Sequence, residues 1–500
     1  MRSKKKQKAI LKRAYTNLGH LRAEDDDSLG LYYVSSGGFL DRALDRTDPA
    51  IFFRGPKGIG KSAVLKMVEL YHHADINRVV RINPDDLAFT ALANISTQTP
   101  LVREAEKNQW LFKSLWNYVL AMRLLKSEYP ARATILDKVL ACFRSEQQNQ
   151  ARHLLSLSFT DAGQVEPSLT STMIRLVNEI EIAIETSGVR GSALVKLDPS
   201  HSEVSHQLVV LNLVDQVARA LPTLLHKEYF VLIDDLDLHW HNEPVQNALI
   251  AALFTSMAKL RAAKNIKFVV AIRSDIYRYL PIEDKDKSRD WICDIFWDRN
   301  ALQALIEKRM LKLHNIGPRD LWGTMFPQGA FDLMIQHSLM RPRELIRQTE
   351  LAFEFAFRAG HAEVQPEDLH QAFSRNAREK IEELEQEYGH TLPGIADVLL
   401  RFSGWDREFP LSRLQELSTD LTLEVICPGD KPPRYSWAGQ YDGKPLELAK
   451  QLVAVGFLQV KVSQNAPPED EIDPALIDKI AQPWFAIRPI YRPCLALREP

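Results

Sequence analysis

The feature that most constrains this chain is a run of eight residues, Gly55-Pro56-Lys57-Gly58-Ile59-Gly60-Lys61-Ser62. It stands between the apolar stretch Ile51–Phe53 and a helical pattern that opens at Ala63 and continues through Val64, Met67 and Val68. The run satisfies G-x-x-x-x-G-K-[ST] in the strand–turn–helix setting that this spacing needs. Glycines let successive backbone N–H groups turn inward around phosphate oxygens, and the start of the following helix adds its positive end. In such a loop Lys61 reaches the β- and γ-phosphates, and Ser62 offers its hydroxyl to magnesium. The expected ligand is therefore ATP with Mg2+; no Asn-Lys-x-Asp stretch that reads guanine is present.

Three further stretches fit the same chemistry. Tyr229-Phe230-Val231-Leu232-Ile233 is five apolar residues long and ends in Asp234-Asp235, as a buried parallel strand does when acids emerge at its carboxyl end. There Asp234 is expected to hold magnesium through water, and Asp235 to polarise the attacking water. Lys267–Ile272 reads as the next strand and leads into Arg273-Ser274-Asp275. Arg273 is either a sensor of the γ-phosphate that stabilises charge in transfer, or a surface arginine paired with Asp275. Arg341-Pro342-Arg343 opens a helix, with proline just inside its start. Arg341 and Arg343 either present a guanidinium to the nucleotide or are solvated helix-end charges.

Strand character also appears at Val79–Ile82 and, more weakly, at Ile292–Phe296. The periodicity predicts helices over Phe39–Leu44, Pro244–Ala263 and much of 85–228. In that long stretch Trp110, Leu111, Leu115, Trp116 and Val119 recur at helical spacing and read as core. Ser156–Ser168 and Thr186–Ser202 read as loops. From Asp298 to about Tyr388 the pattern is helical, with starts at Asp298 and Pro366. Helices at Pro393–Phe402, Leu411–Ser418 and Pro445–Val455 are followed by strands at Gly456–Val462 and Trp484–Ile487, which suggests a winged helix. Expected domains are an N-terminal arm (1–29), a core with a helical insertion near 85–228 (30–297), a helical lid (298–390) and a winged-helix-like domain (391–500).

Composition matters mainly through charge. The first 13 residues hold seven Lys/Arg and no acid, whereas the remainder carries 56 basic and 65 acidic residues. A basic arm on an acidic body suits nucleic acid or an acidic partner; a solvated, frayed terminus is the plainer reading. The apolar runs are strand-sized, too short to cross a membrane, and the basic N-terminus lacks the apolar stretch of a signal peptide, so a cytoplasmic location is expected. Cys142, Cys293, Cys427 and Cys494 are widely spaced and read as reduced core residues.

With these elements placed, the chain resembles the AAA+/STAND branch of P-loop ATPases, through Ile51–Ser62, Tyr229–Asp237, Phe268–Ile276 and Leu339–Ile346. It is most similar to a bacterial STAND-like group with Gly-x-Lys-Gly-x-Gly-Lys, Asp-Asp-Leu-Asp and Arg-Ser-Asp-Ile motifs, here Gly55–Lys61, Asp234–Asp237 and Arg273–Ile276. The resemblance implies a five-stranded parallel sheet of an ASCE-type α/β P-loop NTPase, with the loop on strand one, the acids on strand three and the sensor on strand four. A helical insertion must fill the roughly 145 residues between the second and third strands. Asp235 stands where fast motors carry glutamate, which points to slow turnover.

Two functions follow as expectations. The first is a regulatory ATPase in which ATP drives assembly into a homo-oligomer and hydrolysis resets it, acting with a separate protein effector, as such proteins do in bacterial anti-phage defence. The second is a DNA-handling ATPase that uses the basic arm and the winged helix. The helix Pro445–Val455 argues against the second, since it offers Lys450 beside Glu447.

Overall fold

Apolar strands buried on both faces need covering on each side, and parallel pairing is the arrangement that provides this. In a computed structural model of the chain, five parallel strands form one sheet. They are β1 (Phe52–Gly55), β2 (Val79–Ile82), β3 (Tyr229–Ile233), β4 (Ile266–Arg273) and β5 (Ile292–Asp294). Their order is β2-β3-β4-β1-β5, and every pairing is parallel. Of these, β3 and β4 are buried almost throughout. The structure describes residues 11–15, 17–72, 78–82, 109–156, 175–176, 207–236, 240, 244–261, 264–282, 289–427, 432–468 and 474–498. These fall into two compact units, Ser35–Phe296 and a second unit made of Met1–Val34 with Trp297–Pro500.

In the sheet unit the helices are α1 (Phe39–Leu44), α2 (Lys61–Tyr71), α3 (Gln109–Glu128), α4 (Arg132–Leu140), α5 (Ser145–Ser156), α6 (Gln207–Leu224), α7 (Pro244–Leu260) and α8 (Ser274–Tyr279). The aromatic stripe behaves as core: Leu111, Leu115, Trp116 and Val119 of α3 are buried in one cluster with β3 and α7. Trp116 Nε1 donates to the carbonyl of Leu249 at 2.9 Å, so the indole is both buried and satisfied. Of the loops expected at Ser156–Ser168 and Thr186–Ser202, only Ser156 is described, as the last residue of α5; the rest lies outside the described residues.

In the second unit, after the residues up to Val34, comes α9 (Arg299–His314), whose N-cap Asp298 accepts from Ala301 N at 2.8 Å. The unit continues with α10 (Ala330–Gln336), α11 (Pro342–Arg358) and α12 (Pro366–Tyr388), the last opened by a capping box of Gln365 with Asp368. Then come α13 (Ile395–Leu400), β6 (Glu408–Pro410), α14 (Leu411–Ile426), α15 (Pro445–Ala454), β7 (Leu458–Lys461) and β8 (Trp484–Ile487). The last strands form an antiparallel sheet in the order β6-β8-β7. β6 has no counterpart in the sequence reading, because three residues ending in proline carry no periodic signal. α14 runs to Ile426 rather than Ser418, since Leu421 and Thr422 continue its buried face.

Two expectations are corrected. The stretch 1–29 is not a detached arm from Leu11 onward: Leu11, Ala14 and Leu18 are buried in one cluster with Leu302, Ile306 and Phe353. Its first ten residues, with five of the seven basic side chains, lie outside the described ones. All four cysteines are free, but only Cys293 is fully buried; Cys142 and Cys427 are exposed, so they are not core residues. Among the described residues, no helix is long and apolar enough to cross a membrane.

Candidate nucleotide-binding site

The site lies along the carboxyl edge of the parallel sheet. β1 ends at Gly55, and the turn to α2 follows. Gly58 and Gly60 sit at φ +81° and +104°, a region that side-chain-bearing residues rarely adopt. Gly55 is closely packed as well: a Cβ there would stand 2.7 Å from Ile59 Cγ2. Buried Ile59 thus props the loop from within, while Lys57 is exposed and Pro56 half-buried. Lys61 Nζ donates to the carbonyls of Gly55 and Pro56, each at 3.0 Å, so the ammonium is held over the loop it belongs to. Ser62 and Ala63 occupy the first turn of the eleven-residue α2, at its positive end.

The acids come from β3. All five strand residues are buried, and Asp234, the next residue, is 4% exposed. Its Oδ1 accepts from the N–H of Asp235 at 3.0 Å. Asp235 is half-buried and takes φ +58°, a left-handed conformation that aspartate tolerates better than most residues. The chain therefore turns sharply as it leaves the sheet. Asp237 and the histidines at 239 and 241 lie outside the described residues.

β4 pairs with both β1 and β3, and it brings Arg273 into register with Gly55. The Asp275 pairing of the second reading is present, but the Arg273 side chain is only 12% exposed and so is not a surface arginine. It sits at the sheet edge beside the loop. Nε donates to Asp275 Oδ1 at 2.9 Å and the terminal nitrogen to Oδ2, a bidentate clamp. Burial would raise the Asp275 carboxyl, but the Arg273 charge and hydrogen bonds outweigh it and hold it below the ordinary value.

Sequence reasoning missed one neighbour. Arg54, next to the loop, makes its own bidentate pair with Asp294 of β5, at 2.6 and 2.8 Å. A single arginine in an apolar strand gives no periodic signal; only the parallel register of β1 with β5 sets it opposite Asp294. Arg341 and Arg343 belong to the second unit. Arg341 is the N-cap of α11 and lies 3.8 Å from buried Glu344; Arg343 is half-buried in its first turn.

The residues present fit a nucleotide with magnesium. Two glycines take the left-handed turns of a phosphate cradle, a helix start follows, and the cation donors are a hydroxyl (Ser62) and a buried carboxylate (Asp234). Oxygen donors of this kind suit Mg2+, which is held by one or two protein groups together with phosphate and water. Among the described residues, no group of three or more His, Cys, Asp and Glu is placed to hold a metal by itself. Sheet order, loop and acids together make Ser35–Phe296 an α/β P-loop fold.

A family model described as the FunZ-associated C-terminal helical domain matches residues 300–385. Over 468 residues the chain is 24% identical to an Escherichia coli (strain K12) protein named for the gamma-delta transposon and a mass of 80.3 kDa. That match covers 89% of this chain and 61% of the relative, so the chain spans about three fifths of that protein's length. It is 28% identical over 147 residues to the allergen Alt a 2 of Alternaria alternata, covering 27% of this chain and 77% of that one. Among solved structures it is similar to the Aeropyrum pernix Orc1 protein in complex with DNA, with 13% identity, 94% of both chains covered and a TM-score of 0.41. The Cdc6p structure from Pyrobaculum aerophilum aligns with 11% identity, 93% of this chain, 97% of that one and a TM-score of 0.31.

Proposed function

We propose that this chain binds ATP with Mg2+ and hydrolyses it slowly, as a nucleotide-driven switch of the AAA+/STAND kind. The observation that carries the reading is the shared sheet edge: the phosphate loop at the end of β1, Asp234-Asp235 after β3, and Arg273 at the end of β4 in register with Gly55. In this reading the loop N–H groups and Lys61 hold the phosphates, Ser62 and Asp234 hold the metal, Asp235 orients water, and Arg273 answers to the γ-phosphate. α9 to α12 form the helical lid of this reading, with Arg341 and Arg343 its candidate nucleotide-sensing arginines. The three helices and three-stranded sheet after Gly394 support a winged-helix-like reading of 391–500. The ATP-bound form assembles with further copies of the chain and engages a protein effector.

The reading is tested by phosphate release and light scattering on the wild type, Lys61→Ala and Asp235→Asn, with and without DNA. ATP-dependent assembly and turnover that Lys61→Ala abolishes are expected. Equal behaviour of wild type and Lys61→Ala sinks the reading.

A DNA-handling ATPase is the second reading, favoured by the β6-β8-β7 sheet beside α15. Lys450 weighs against it. This basic residue of α15 is already bound to Glu447 at 2.8 Å and Asp478 at 2.7 Å, leaving little charge for phosphates. Salt-dependent binding of labelled DNA, weakened by deleting residues 1–13, would restore it.

A further inference from the structure

Arg54 lies immediately before the phosphate loop, and three separate constraints act on its guanidinium. Nε and one terminal nitrogen take both carboxylate oxygens of Asp294, the last residue of β5. The guanidinium carbon also lies 4.7 Å from the ring centre of Tyr277, in α8. That ring is buried and belongs to an aromatic file, Tyr277–Phe254–Phe52, running beneath the sheet. The backbone adds a fourth tie, since Ile295 N donates to the Arg54 carbonyl at 2.8 Å.

The pair contributes little to stability. The Arg54 side chain is 28% exposed and that of Asp294 59%, a setting in which ion pairs are screened. Its geometry does something else. A bidentate fork fixes the plane of a guanidinium, and a ring face fixes its tilt. Arg54 thereby touches both sides of the nucleotide site. It is in β1, one residue from Gly55, and it rests on the helix that starts directly after Arg273 and carries Asp275, the clamp on Arg273. Gly55 is closely packed as well: a Cβ there would meet the Ile59 side chain at 2.7 Å and the Ile295 carbonyl at 3.5 Å.

We propose that Arg54 is a positioning residue of the nucleotide site, which holds the start of the phosphate loop and Arg273 in fixed relation through Asp294 and Tyr277. In this role it acts through the loop and Arg273 rather than on the ligand itself. The inference rests on the nucleotide-site reading above and adds to it a determinant of the preference for triphosphate over diphosphate. ADP is held by the loop itself, through its backbone N–H groups and Lys61. A γ-phosphate is in addition answered by Arg273, whose aim depends on α8.

The test is titration of the full chain with ADP and with a non-hydrolysable ATP analogue, both with Mg2+, alongside thermal melting. The variants are Arg54→Ala, Arg54→Lys, Asp294→Asn, Tyr277→Phe and Lys61→Ala. In Arg54→Ala and Asp294→Asn, ADP affinity stays within about twofold of wild type, while preference for the analogue falls about tenfold, the scale of one charged hydrogen bond. Arg54→Lys, which keeps the charge but not the fork, is intermediate, and Tyr277→Phe, which keeps the ring, matches wild type. An unchanged preference in Arg54→Ala overturns the inference and leaves the site reading intact. So does a parallel loss of ADP affinity and melting temperature, which marks the arginine as merely structural. A wild type that binds neither nucleotide better than Lys61→Ala overturns both.

Discussion

Gly55 and Arg273 are cross-strand partners: the last residue of β1 stands in register with the last residue of β4. The phosphate loop and the arginine therefore leave the sheet side by side, although 218 positions separate them in sequence. Replacing Arg273 with alanine should lower phosphate release by roughly a hundredfold while leaving ADP binding nearly intact, the pattern of a group used in the transition state. Steady-state turnover beside ADP titration checks this, and a loss confined to binding would assign Arg273 a different role.

Asp235 is held at φ +58°. Asparagine tolerates that conformation, so Asp235→Asn should fold with unchanged stability and lose turnover alone. Asp235→Glu places a longer side chain on the same backbone and should cost about 1 kcal/mol. Thermal unfolding of the two variants separates these effects. If glutamate proves as stable as aspartate, the left-handed turn is not what selects Asp235.

Lys267 provides a pH signature. It is 3% exposed, and its Nζ donates to the carbonyls of Asp48 and Ala50 at 2.8 and 2.9 Å. Burial pulls it down from the ordinary 10.5 to about 8, against the opposing charges of Asp48 and Asp45. Between those values the unfolded chain binds more protons than the folded one, so stability rises with pH, by up to about 3 kcal/mol from this group. Denaturant unfolding from pH 7.5 to 10 should show the rising limb, and Lys267→Met should flatten it. An equal slope in both proteins would rule Lys267 out as its source.

In the second unit, Asp26, Tyr32 and Arg309 form a buried trio. The Tyr32 hydroxyl donates to Asp26 Oδ2 at 2.6 Å, and Arg309 lies 3.5 Å from the same oxygen with its guanidinium over the Tyr32 ring. Burial, with the Asp26 hydrogen bond, raises the tyrosine above its usual range. Arg309 also donates to the Leu18 carbonyl at 2.6 Å, which ties residues 18–32 to α9. Removing the arginine strands a buried carboxylate, so Arg309→Ala should destabilise the chain by about 3–5 kcal/mol and Tyr32→Phe by about 1–2. Urea unfolding measures both, and limited proteolysis within 18–34 should accelerate in Arg309→Ala. Matching proteolysis rates would mean that other contacts hold the segment.

The sequence was sufficient where a local pattern carries the physics. β2, β3 and β8 fall on their expected residues, because an apolar run bounded by turn formers has one way to be buried. The starts of α9 and α12 were legible too, since Asp298 and the proline after Gln365 act within a single turn. The glycine loop could be read because its backbone conformation is written in the residue type itself.

Tertiary structure decided what depends on partners far apart in the chain. The strand order, which sets Arg273 beside Gly55 and Asp294 beside Arg54, follows from how the whole sheet packs and from no property of one strand. The fate of residues 11–34 was hidden for the same reason. Leu11 and Leu18 are buried only against residues far along the chain, such as Leu302, Ile306 and Phe353, and Tyr32 only where Arg309 answers Asp26. Local sequence thus determined most of the elements and the phosphate loop, though not the short β6. Long-range packing chose which charged side chains meet, because the free energy of an ion pair or a buried hydroxyl exists only once both partners and their surroundings are in place.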